Sequence, residues 1–153
     1  MRKLSSSFVV TTLLMLSACD RDTTGPAKPD NRTLSAVIDG ASWSAVSITI
    51  DSLAPSSIAI FGTKANQTLA IAIPVDQGPG TQTVGSTTPV FAGLILGSQS
   101  WLASRTQGGA GSVTLTTVTP GHIVGTFEFT MAAHEGASPA ERRVTSGKFD
   151  VRY

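Results

Sequence analysis

The 153-residue chain holds one thiol, Cys19, and two imidazoles, His122 and His134, so any catalytic or metal chemistry must be built from few groups. A zinc site needs three or four ligands, usually with local pairs at set spacing. His134 and Glu135 are adjacent, so on a strand they would point to opposite faces. Both histidines therefore read as solvated loop residues, and neither a metal nor another cofactor is expected. Serine catalysis needs a histidine base and an orienting carboxylate. Serines are plentiful, but Gly109-Ala110-Gly111-Ser112 is not a Gly-x-Ser-x-Gly elbow, and no strand-to-helix unit exists to mount one. The run Gly108 to Gly111 also lacks the helix N-terminus and lysine of a phosphate cradle, and reads as a hairpin loop. Paired carboxylates could hydrolyse a glycoside, yet Glu128, Glu135 and Glu141 are the only glutamates. Glu128 alternates with Phe127 and Phe129 and should face solvent. No catalytic residue is assigned.

Two tryptophans are the candidates for ligand contact. If the strand through Val46, Ile48 and Ile50 extends back without a bulge, Trp43 has the opposite parity and points away from that apolar face. An exposed indole there could stack on a sugar or a partner. Trp101 is the second such candidate. Packing under the Asp39-Gly40 turn, or against a second sheet, is the competing reading for Trp43. Arg142-Arg143, with Glu141 before them, read as a solvated charge cluster.

These residues would be carried by strands. Leu34, Ala36 and Ile38 alternate with Ser35, Val37 and Asp39 up to the turn signal Asp39-Gly40. Val46, Ile48 and Ile50 form a half-buried strand ended by Pro55, and another run begins at Ser57. Leu69, Ile71, Ile73 and Val75 keep strict period two before the turn Asp76 to Gly80. Val90 to Leu96 is apolar on both faces and predicts a central, doubly covered strand, with Gly93 and Gly97 as bulges or close approaches. Val113 to Val118 follows the glycine run, and Thr119 to His122 form a turn. Ile123 to Met131 alternate, as do Phe149, Val151 and Tyr153. Met131 to Arg143, interrupted by Gly136 and Pro139, reads as a long loop. Eight or nine strands at such spacing predict an all-β fold, a single antiparallel β-sandwich, with a small β-barrel as the alternative.

The N-terminus has a different texture. Arg2 and Lys3 precede an apolar run from Phe8 to Leu16, followed by small Ser17 and Ala18, the layout of an export signal. The run is about half the roughly 20 residues a membrane-crossing helix requires. Asp20 to Arg32 contains two prolines, a glycine and no large apolar residue. It reads as a flexible tether, which for 13 residues spans about 20 Å. Removing residues 1–18 takes away Arg2 and Lys3, so 11 basic residues become nine against ten acidic, and net charge goes from +1 to −1. A nucleic-acid partner, which favours a basic patch, is not expected.

Leu16-Ser17-Ala18-Cys19 resembles the lipobox of bacterial lipoproteins. That resemblance implies cleavage between Ala18 and Cys19, a diacylglyceryl group on the Cys19 thiol and acylation of the new amine. Two or more acyl chains anchor stably where one does not. It divides the chain into a signal peptide at 1–18, a lipidated tether at 19–32 and a folded domain at 33–153. With its thiol consumed, Cys19 leaves none for a disulfide or a metal.

Four further motifs stand in order: Val37-Ile38-Asp39-Gly40-Ala41-Ser42-Trp43, Gly111-Ser112-Val113-Thr114-Leu115, Gly125-Thr126-Phe127-Glu128-Phe129 and Gly147-Lys148-Phe149-Asp150-Val151. Together they resemble an uncharacterised family of small bacterial lipoproteins, a domain of unknown function with an Asp-Gly-x-x-Trp opening, over nearly all of residues 33–153. The resemblance implies a β-rich lipoprotein and supplies no activity. The resulting expectation is a non-enzymatic domain facing the periplasm or exterior, held to a membrane through Cys19, which binds or buttresses an envelope protein or glycan. A carrier of a small apolar ligand in a barrel cavity, and a hydrolase with an unrecognised site, are the alternatives.

Overall fold

Period-two alternation runs through the folded part of the chain and produces eleven strands without a helix among the described residues. The computed structural model describes residues 31–54, 56–85 and 90–153; the apolar run, Cys19 and nearly all of the tether lie outside them. The strands are β1 (Thr33–Ile38), β2 (Ala41–Ser44), β3 (Ser47–Ala54), β4 (Ser57–Lys64), β5 (Gln67–Pro74) and β6 (Gly80–Thr83). They continue with β7 (Phe91–Leu96), β8 (Gln99–Ala103), β9 (Ala110–Thr119), β10 (His122–His134) and β11 (Glu141–Arg152). All pairings are antiparallel, so the expected all-β antiparallel class holds.

One sheet contains them all, in the order β2-β1-β11-β10-β8-β7-β5-β4-β3, with β9 on β10 and β6 on β9 as a side branch. It curls into a half-barrel. Strand β10 makes the corner: residues 122–130 pair with β9 and residues 132–134 with β8, while β11 keeps its other edge. The two ends of the path are joined by Ala45 and Val46. The Ala45 amide donates to Leu34 O on β1 and the Val46 amide to Thr63 O on β4.

The curl turns one apolar face inward. Ile58, Ile60, Leu69, Ile71, Leu94 and Trp101 on one side share a core with Leu34, Val113, Ile123, Met131, Val144 and Phe149 on the other. Burying each large apolar side chain contributes about 1.5–3 kcal/mol. Phenylalanine and glycine face each other across the strands: Phe149 opposite Gly125, Phe127 opposite Gly147 and Phe129 opposite Gly111. A Cβ on Gly125 would stand 2.6 Å from Phe149 Cζ, and one on Gly147 would enter the Phe127 ring. The missing side chains let the rings stack, Phe127 lying 5.7 Å from Phe129 and 6.2 Å from Phe149. This is what Gly125-Thr-Phe-Glu-Phe129 and Gly147-Lys-Phe149 do physically.

Four expectations change. Strand β10 runs on to His134 and β11 begins at Glu141, so the predicted long loop shrinks to residues 135–140; pairing with β8 and β11 overrides the weak local pattern. Strand β7 is covered on one face only, since Phe91 and Ile95 are exposed on the other. Gly97 sits in the β7–β8 turn, not in a bulge. Val46 is 84% exposed, because the alternation slips by one residue between Ala45 and Ile48.

Candidate functional site

That slip decides the fate of Trp43. With the parity shifted, its side chain turns inward with Ile48 and Ile50, and it is only 4% exposed. Its Cη2 is the nearest indole atom to Gly62 of β4, and its Nε1 is buried without a hydrogen-bond partner. Trp101 is 0% exposed. Neither indole offers a face to a ligand from outside, so packing, the competing reading, describes both candidates.

Trp101 belongs to a clasp that the sequence did not announce. Its Nε1–H donates to Pro139 O at 2.7 Å, and the Arg142 guanidinium lies over its ring, 4.6 Å from the centroid. Arg142 Nη1 donates to Asp39 Oδ2 at 2.6 Å, while the Arg143 amide donates to Asp39 Oδ1 at 2.8 Å. The Asp39 amide in turn donates to Arg143 O. Asp39 and Gly40 both adopt positive φ, 48° and 85°, so the β1–β2 turn can present its carboxylate to β11. Burial pushes the Asp39 carboxyl pKa up. The hydrogen bonds from Arg142 and Arg143, with the Arg142 charge, outweigh that and hold it below its ordinary value. Arg142 is thus an anchored ion-pair partner, whereas Arg143 remains in solvent beside Glu141.

The two histidines occupy opposite ends of the 13-residue strand β10 and share no partner. His122 Nε2 lies 2.8 Å from Asp150 Oδ1, a pairing in place of the solvated loop position expected. His134 Nδ1 meets Gln107 Oε1 at 3.2 Å and its Nε2 lies 3.5 Å from Glu135. Among the described residues, no three His, Cys, Asp or Glu side chains gather where they could hold a metal ion.

What the fold assembles instead is an outer groove on β9, β10 and β11. Two depressions of about 300 and 460 Å³ adjoin there and share Glu128. Hydroxyls of Ser112 and Thr114 form one wall, Thr126, Glu128 and Thr130 the floor, and Arg143, Thr145, Ser146 and Lys148 the other wall. The register explains the set: Thr126 is opposite both Thr114 and Lys148, and Glu128 is opposite Ser112. An extra residue in β11 at Ser146 (φ 52°), against both β10 and β1, bends the strand and shapes that wall. Thr81 extends the hydroxyl row, its Oγ1 2.9 Å from that of Thr114. Glu128 faces outward, as its alternation with the phenylalanines predicts. The groove residues were missed because each strand alone shows only polar outer positions; their neighbourhood depends on pairing. The Thr119 to His122 turn was the one available sign that β9 and β10 form a hairpin.

The groove supplies many hydrogen-bond donors and acceptors, with a lone carboxylate between two cations. It has the makings of a recognition surface. No curated protein and no solved structure matches the chain. Residues 30–150, which include the clasp and the groove, match the family model described as a domain of unknown function (DUF6252), and the chain belongs to that family.

Proposed function

We propose that this is a bacterial envelope lipoprotein, anchored through Cys19, whose non-catalytic domain binds a protein component of the envelope along the β9–β10–β11 groove. The observation that carries the binding role is the disposition of the ionisable groups. Asp39, His122 and His134 are each engaged with a separate partner. The groove presents Glu128 among hydroxyls with no imidazole along its walls. Such a surface recognises an extended polar segment by many modest contacts. The glycan version loses its stacking platform now that both indoles are buried. The carrier version is disfavoured by an interior filled with Trp101 and three phenylalanines. The address rests on Leu16-Ser17-Ala18-Cys19 and on the proline-containing stretch after it.

A photoreactive amino acid placed at Thr126 of the full chain, irradiated in cells, tests the groove. A discrete adduct is expected that fades at least fivefold when Glu128→Lys is added, and that a probe at Thr68 on the opposite outer face does not form. Indistinguishable adducts from both positions, or a hydrolytic activity removed by Glu128→Gln, would overturn the proposal.

A further inference from the structure

The charges of the groove have a fixed order along it. Its floor is the outer side of β10, with Thr126, Glu128 and Thr130 at alternate positions. On β11, Lys148 stands opposite Thr126 and Arg143 opposite Thr130. The order is therefore cation, carboxylate, cation, each step being two residues, or about 6.6 Å. Among the described residues, neither Glu128 nor Lys148 is in an ion pair. Arg143 Nε lies 3.3 Å from Glu141 Oε1, but both side chains are more than half exposed, so that pair can exchange its partner. The next outer charge on β11, Asp150, is held by His122 and does not enter the series. The walls are the strands flanking β10, so they stand about 10 Å apart. That width admits one extended chain and is tight for a helix, which with its side chains is about 10–12 Å across. An extended chain lying along β10 has the same rise per residue, so its alternate side chains meet the alternate side chains of the floor.

We infer that the groove selects an extended segment of its partner in which alternate side chains are acidic, basic and acidic. The basic side chain meets Glu128, and the two acidic ones meet Lys148 and Arg143. The inference rests on the groove being the binding surface proposed above, and adds which sequence that surface accepts. The order reads the same in both directions, so it holds for either orientation of the segment. Charge order of this kind fixes register and rejects wrong partners more than it adds affinity. A segment with the reverse order sets like charges together at all three positions, which is the repulsive element that specificity needs. The side chains between the three charged ones point away from the floor and are left free to vary.

Three fluorescent peptides test it by anisotropy at low salt, against the full chain purified in detergent. One carries Glu-Thr-Lys-Thr-Glu between threonine flanks, an isomer of it carries Glu-Thr-Glu-Thr-Lys, and the third carries Glu-Thr-Glu-Thr-Glu. The first is expected to bind at least fivefold more tightly than the other two. With Glu128→Lys, the all-acidic peptide should bind at least fivefold more tightly than the first. Glu128 is exposed, so that change leaves the core intact. Equal binding of the first peptide and its isomer, no binding of any, or a preference indifferent to Glu128→Lys would overturn the inference. The photoreactive probe at Thr126 separates this outcome from the fate of the binding role. A Glu128-dependent adduct whose captured segment, read by mass spectrometry, lacks the charge order overturns the inference alone; absence of any adduct overturns both.

Discussion

Asp39 connects three strands through one carboxylate. It accepts from Arg142 and from the Arg143 amide, and Arg142 covers Trp101. Surface ion pairs contribute little, a median of about 0–1 kcal/mol, but this one is partly shielded and adds a cation–π contact of about 0.5–1 kcal/mol. Arg142→Ala should therefore lower unfolding stability by about 1–2 kcal/mol, read from urea midpoints at neutral pH. Because the folded carboxyl is held below its ordinary value, its contribution is present above the unfolded pKa and lost as pH falls through the folded one. Asp39→Asn should flatten the stability profile below about pH 4 while altering little of its shape above that. An unchanged acid limb would show that Asp39 is not held by Arg142. The turn at Asp39-Gly40 was legible in the sequence. Its partner was not, because Arg142 lies 103 positions away and only the sheet brings them together.

At the level of strands, the glycine–phenylalanine pairs test why the motifs have their composition. Gly147→Ala places a methyl into the Phe127 ring, and overpacking of this kind costs about 1–3 kcal/mol. The loss should be relieved in part by Phe127→Leu in the same chain, measured as a double-mutant cycle in thermal unfolding. Strict additivity would mean that the ring and the glycine do not meet. Alternation made most of these strands readable in advance: Leu69, Ile71 and Ile73 are all buried, as are Ile123, Phe127, Phe129 and Met131. Strand β7 misled because an apolar outer face looks, in one dimension, like a doubly buried strand. Trp43 stayed open between two readings for a different reason. A one-residue slip reverses every later side chain, and nothing local to Ala45 or Val46 marks it.

At the largest scale, the described residues form one core inside a curled sheet with two outer faces of opposite character. One is lined by hydroxyls and charges, the other by alanine and phenylalanine. The antiparallel all-β class could be read from turn spacing, whereas both faces required knowing which strands are neighbours. In the account proposed here, the groove engages an envelope protein, with the lipid holding the domain at a membrane. The tether is the premise shared by that arrangement. The measurement that tests it most directly is fractionation of bacteria expressing the full chain or its Cys19→Ala variant. Wild type should partition with membranes and release only into detergent, and Cys19→Ala should appear in the soluble fraction. Equal partitioning of the two would contradict the lipid anchor.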